Sequence, residues 1–118
     1  MGRAVMIESI EFGKITIQGQ TYTTDVRIMP DGRILDQWWR KHGHRLTLED
    51  LDVLLAAKPQ ALVVGAGVYG RMLPEAGLEE TIQAMGIDLF IAPNDQAMRE
   101  FNRTVASRAA AGCFHLTC

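Results

Sequence analysis

The run Gly65-Ala66-Gly67-Val68-Tyr69-Gly70 has the form G-x-G-x-x-G and directly follows an apolar stretch at 61–64. Glycines at this spacing let a backbone approach a phosphate, and a helix N-terminus beyond them would add free N–H donors. Three details oppose a dinucleotide site. Arg71, Met72 and Leu73 intervene before Pro74 can start a helix. The ribose-binding acid belongs near the end of the next strand, about 20 residues on, whereas Asp88 falls near that strand's beginning. Finally, 118 residues leave no room for two mononucleotide halves beside a β-rich first third. Two readings stay open: a tight loop whose glycines satisfy backbone geometry, or a site for a small anionic ligand. The second would draw on Arg40, Gly65, Gly67, Tyr69, Gly70, Arg71 and Asn94.

Residues 38–45, WWRKHGHR, form the one cluster that mixes aromatic and basic side chains. In an extended segment Trp38 and Trp39 face opposite ways. One therefore belongs to the core and the other near the surface, where it could meet a protein partner. Arg40 could stack on an indole or clamp a carboxylate with its planar fork. His42 and His44 have chelating spacing on a strand, but Arg40, Lys41 and Arg45 crowd them with positive charge, so no metal site is expected. At the end of the chain Cys113, His115 and Thr117 share a face by the period of two. A cysteine beside a histidine invites a nucleophile-and-base reading, yet the run looks buried, where a free cysteine behaves as a small hydrophobe. Cys118 is the better candidate for a reactive thiol. There is no serine elbow, H-E-x-x-H, Walker loop or spaced cysteine pair.

The composition bounds what these groups can serve. Hydrophobic residues make up 47% and charged residues 22%, which excludes a disordered or collagen-like chain. Twelve basic against fourteen acidic residues give a charge of -2, so no pull toward nucleic acid or anionic membrane is expected. Nothing approaches the roughly 20 apolar residues of a spanning helix. Residues 1–9 lack the apolar core of a signal peptide. Cys113 and Cys118, if extended, stand some 16–17 Å apart, too far for a disulfide, and a reducing cytoplasm suits them.

Hydrophobic spacing supplies the elements that must hold these groups. Phe12, Ile15 and Ile17, then Tyr22, Val26 and Ile28, read as a β-hairpin turning at Gly19-Gln20. Pro30-Asp31-Gly32 spells a second turn. Thr47 and Asp50 make an approximate capping box for a helix with Leu48, Leu51, Leu54 and Leu55 on one face, closed by Pro59. Residues 61–64 are a strand covered on both faces. A helix over about 74–85 points Leu78, Ile82 and Met85 inward, and a second buried strand covers 87–91. Asn94 caps a third helix carrying Ala97, Met98, Phe101 and Val105 toward the core, with Gly112 as its stop and a last strand over 113–117. The expectation is one α/β domain over 1–118: a central mixed sheet with helices packed on it, plus an N-terminal antiparallel hairpin.

Trp39-Arg40 with Gly43-His44, the strand and loop over 61–67, the run 94–102 (NDQAMREFN) and the closing His115-Leu116-Thr117-Cys118 together resemble the MTH-type domain family. These are small archaeal and bacterial proteins whose eukaryotic relatives include an adipogenesis-associated protein and a mitochondrial complex I assembly factor. The likeness spans about residues 10–118. It implies a layered α/β fold with a mixed sheet and no established reaction. No cofactor is expected. Relatives often carry a hydroxyl residue between the loop glycines where this chain has Ala66, which removes a donor and weakens the phosphate reading. The functional expectation is therefore a non-catalytic binding or assembly-factor-like module using Trp38 and Trp39. The alternative is a small-molecule or anion site, enzymatic or not, with a pocket at the 65–70 loop.

Overall fold

In the N-terminal third, short runs of β-formers are broken by glycines at positive φ. In the computed structural model, which describes residues 5–41 and 43–118, three such runs pair. The first residues of the 1–9 segment, and His42 of the His42/His44 pair, lie outside the described residues. Strands β1 (Ile7–Glu11), β2 (Lys14–Ile17) and β3 (Gln20–Tyr22) form an antiparallel sheet in that order. The expected hairpin thus has a third strand, and its turn is one residue earlier than anticipated. Ile17 pairs with Gln20, leaving Gln18 and Gly19 in the turn with φ of 48° and 82°. Two positive φ values match the right-handed strand twist. Phe12 stands exposed in the β1–β2 turn instead of on a strand.

Val26 and Ile28 belong to another sheet. Strand β4 (Val26–Ile28) turns through Pro30-Asp31-Gly32, where the Gly32 N–H donates to the Met29 carbonyl at 2.9 Å, into β5 (Ile34–Leu35). Next come β6 (Arg45–Leu46), a 3₁₀ turn (Glu49–Leu51) and α1 (Asp52–Ala56). The capping box forms as read. The Asp50 N–H donates to Thr47 Oγ1 at 3.3 Å, and the Thr47 N–H donates to Asp50 Oδ2 at 2.9 Å. Strand β7 (Ala61–Gly65) is buried throughout. After the glycine loop, β8 (Leu73–Pro74) pairs in parallel with β6. That pairing holds residues 73–74 extended, so α2 (Leu78–Ala84) begins later than expected and leaves Met85 half exposed.

The last elements are β9 (Asp88–Ala92), α3 (Asn94–Val105) and β10 (Ala110–Phe114). The main sheet has the order β5-β4-β10-β7-β9, with β10 and β9 parallel to β7 and β4 antiparallel to β10. Strand β9 is therefore an edge, not a second fully buried strand, and Phe90 is exposed on it. Gly112 does not stop α3. It sits inside β10, where a Cβ would come within 3.0 Å of the Phe101 ring, so its missing side chain makes room for that ring.

Period two divides the core. Leu62 and Val64 of β7, with Ala111 and Cys113 of β10, face α1 and α2. Val63, Ala110 and Phe114 face α3 and the N-terminal sheet, together with Phe101, Ile15 and Val26. The sheet order brings the end of β10 beside the glycine loop after β7. That neighbourhood positions the candidate site.

Candidate functional site

The glycine loop closes on the chain that follows β10. The Val68 N–H donates to the Thr117 carbonyl at 2.7 Å, and the Arg71 N–H to the Cys118 carbonyl at 3.0 Å. The Ala66, Gly70 and Met72 amides bond to Ala92, Gly67 and Ala66 carbonyls, and the Gly67 N–H donates to Asn94 Oδ1 at 3.1 Å. A Cβ on Gly67, at φ +104°, would strike the Cys118 carbonyl, and one on Gly65 would meet Phe114 and Asn94. The glycines thus permit close packing of one backbone against another. Asn94 does not act as the helix cap; Pro93 holds that position. Its buried amide bridges outward from α3, taking the Gly67 N–H and donating from Nδ2 to the His115 carbonyl at 2.8 Å. These amides are engaged and so are not open to an anion. Tyr69 and Arg71 stand exposed, the guanidinium carbon 5.9 Å from the ring centroid. The cleft beside Asn94 is lined by Glu11 and Asp95, whose charges repel an anion.

Arg40 is not at this loop's surface. It is buried, with its guanidinium carbon 4.7 Å from the centroid of the Trp38 ring. Its Nη1 donates to Asp25 Oδ2 at 2.8 Å, and its Nη2 to the Gly43 carbonyl at 3.2 Å. Both anticipated uses of the planar fork, stacking and carboxylate clamping, are met within the chain. Asp25 is the centre of this cluster. His115 Nδ1 lies 2.8 Å from Asp25 Oδ2, and the Leu116 N–H donates to Oδ1 at 2.7 Å. Burial alone would raise the Asp25 carboxyl. The hydrogen bonds from His115, Leu116 and Arg40, with the Arg40 charge, outweigh it and hold the group below the ordinary carboxylate range.

On its far side His115 Nε2 stands 3.3 Å from Thr117 Oγ1. Carboxylate, imidazole and hydroxyl follow one another in the order of a nucleophile relay. However, Arg40 shares the same Asp25 oxygen, and neither the cleft beside Asn94 nor the one beside Trp39 is lined by His115 or Thr117. The cluster ties the segment around Asp25, the Trp38–Arg40 segment and the end of the chain together. Cys113 takes no part: it is buried in the α1–α2 core, and burial pushes its thiol far above its ordinary range. Among the described residues no group of three His, Cys, Asp or Glu is placed to hold a metal.

The open chemistry lies next to Trp39. Trp38 is 4% exposed and its indole N–H donates to the Asp50 carbonyl at 3.2 Å, whereas Trp39 is 80% exposed. Of the two, Trp39 is the exposed one. Beside it opens a cleft of about 450 Å³ lined by Arg27, Lys41, Glu49, Asp50 and Asp52 with the two indoles. Arg27 alternates with Val26 and Ile28 on β4 and so points to this face; its Nε is buried with no hydrogen-bond partner among the described residues. Sequence reading found the tryptophans and the neighbouring Lys41 but not Asp25 or Arg27. For Arg27 the period-two pattern of β4 was the available signal.

The fold and site define a small mixed α/β protein with an internally closed glycine loop and one aromatic, doubly charged cleft. No helix among the described residues is long and apolar enough to cross a membrane. The family model described as protein of unknown function (DUF498/DUF598) matches residues 7–115, and the chain belongs to that family. A conserved hypothetical protein, PH1505 of Pyrococcus horikoshii, is similar at 26% identity over 95% of this chain and 98% of its own, with a TM-score of 0.83. The protein MT938 is similar at 27% identity over 97% and 99% of the two chains, with a TM-score of 0.79. A Mth938-like domain from Bordetella pertussis shares the fold at 15% identity over 96% and 86%, with a TM-score of 0.69. The resemblance to MTH-type domains read from the sequence is borne out.

Proposed function

We propose that this protein is a non-catalytic binding module of the assembly-factor kind, which holds a partner polypeptide in the cleft beside Trp39. The observation that carries the reading is the 80% exposure of Trp39 next to a tryptophan anchored in the core. An indole held out over a cleft is a strong contact point, because tryptophan and arginine dominate interface energies. Glu49 and Asp52 line the same cleft. A lysine or arginine of the partner would lie on the Trp39 face between those carboxylates, while Arg27 and Lys41 would take an acidic neighbour. The engaged amides of the glycine loop support this reading over the anion site. The free thiols of Cys113 and Cys118 accord with work in a reducing cytoplasm.

The test is a set of short peptides that differ only in carrying a basic residue, an acidic residue or both, titrated against the full chain by intrinsic fluorescence. Peptides with both charges should shift the Trp39 emission most, and Trp39→Ala, followed by titration calorimetry because it removes the reporting indole, should abolish binding while the far-UV spectrum stays unchanged. Equal binding by all peptides, or binding that survives Trp39→Ala, overturns the reading.

A further inference from the structure

We propose that two copies of this chain associate by pairing their β9 edges antiparallel about Phe90, forming one continuous sheet. An exposed strand edge is a template for another strand, and proteins ordinarily blunt it with short length, charge, a bulge or a covering group. The other edges among the described residues are treated in that way. Strands β5, β6 and β8 are two residues long and β3 is three. On β1 the Asn102 side chain caps the open side: its Oδ1 accepts the Ile7 N–H at 2.8 Å, and its Nδ2 donates to the Ile7 carbonyl at 2.8 Å. Strand β9, reading Asp-Leu-Phe-Ile-Ala, carries one charge, Asp88 at its first position, and none of these devices over the four residues that follow.

Its hydrogen bonding states which groups are open. The Asp88 N–H donates to the Gln60 carbonyl, and the Ala92 carbonyl accepts the Ala66 N–H, so residues 88, 90 and 92 face β7. By the period of two, the peptide groups of Leu89 and Ile91 face outward. These two residues flank Phe90. A two-fold axis at Phe90 sets Leu89 of each copy opposite Ile91 of the other. Both outward N–H groups and both outward carbonyls are then paired, with none left over.

The charges favour a second copy in this direction. Asp88 is the strand's one ionised residue, and Arg108 Nη2 holds it at 2.8 Å. Antiparallel pairing sets Asp88 opposite the second copy's Ala92, leaving the two carboxylates about 13 Å apart along the strands at ~3.3 Å per residue. Parallel pairing would stack Asp88 on Asp88. Phe90, 37% exposed beside a cleft of about 550 Å³ lined by Glu100, Thr104 and Arg108, would meet the second copy's Phe90 across a closely spaced pair.

The experiment is light scattering of the full chain from low to high micromolar concentration, with backbone hydrogen exchange. A concentration-dependent mass reaching twice that of one chain is expected, with the Leu89 and Ile91 amides slowing as the dimer forms. Ile91→Pro removes an N–H that no internal ladder uses and should yield a folded monomer. Phe90→Lys, which sets two ammonium groups together at the axis, should do the same by a different route. A chain that stays monomeric throughout overturns the proposal, even if it captures a foreign strand. So does a dimer that persists in both variants, or one that leaves the Leu89 and Ile91 amides exchanging freely.

Discussion

The Asp25 carboxylate lies 2.8 Å from the Nδ1 of His115, a residue 90 positions later in the chain. The same oxygen receives a hydrogen bond from the buried Arg40, so one acidic side chain holds three separate segments in register. The glycine loop and the Trp39 segment lean on the ends of this cluster. Its energetics can be measured directly.

Asp25→Asn should destabilise the protein by about 3 kcal/mol or more, because it leaves the Arg40 guanidinium buried without its counter-charge. The pH dependence has a defined sign. A carboxyl held below its ordinary value contributes stability above the unfolded pKa of about 3.9, and that contribution fades as pH falls through the lower folded value. Urea midpoints of wild type and Asp25→Asn should therefore differ most near neutrality and converge in strong acid. A constant gap across that range would assign the effect to packing instead.

Gly67 and Gly77 make a matched pair for the glycine loop. Both have positive φ, +104° and +85°, but a Cβ on Gly77 meets nothing within 4 Å while one on Gly67 strikes the Cys118 backbone. Gly77→Ala should lose only the left-handed penalty, about 1–2 kcal/mol. Gly67→Ala must also displace the end of the chain, and a loss of at least about 3 kcal/mol is expected. Thermal or urea unfolding of the two variants compares them; similar losses would mean that the loop is not closed by residues 115–118.

What the sequence disclosed follows from the range of each interaction. The capping box joins Thr47 and Asp50, three residues apart, and the alternation of β7 is local as well, so both were legible. Asn94 looked like a helix cap because local rules favour asparagine there. Its amide instead reaches Gly67 and His115, which lie 27 and 21 residues away. Asp25 carried no local signal at all. The G-x-G-x-x-G pattern was visible but ambiguous, since glycines that admit a phosphate also admit another stretch of backbone. Only sheet order, which hydrophobic periodicity leaves open, showed β9 to be an edge and placed the end of β10 against the loop.

The adjacent tryptophans should respond in opposite ways. Trp38→Ala empties a core site and breaks the bond to the Asp50 carbonyl, for an expected loss of about 3–5 kcal/mol. Trp39→Ala removes an exposed ring and should leave stability within about 0.5 kcal/mol. In the wild-type protein acrylamide should quench one emission component strongly and the other weakly, and Trp39→Ala should remove the accessible one. Uniform quenching would show that the Trp38 side chain is not held in the core.

The two thiols should differ in reactivity for a reason that burial makes explicit. Cys113 is fully buried on β10, facing the α1–α2 layer; desolvation drives its pKa far up, and the nearby Arg40 and Arg27 charges offset only part of that rise. The thiolate is the reactive species, so native Cys113 should be inert at neutral pH. Cys118 is half-buried and free. A disulfide reagent should then titrate one thiol per chain promptly. The second should react only as fast as the fold opens, speeding up in urea in step with global unfolding. Cys118→Ser should abolish the prompt phase alone. Two thiols reacting at equal rates under native conditions would mean that the sheet opens locally at β10, and would place the weak point of the fold there.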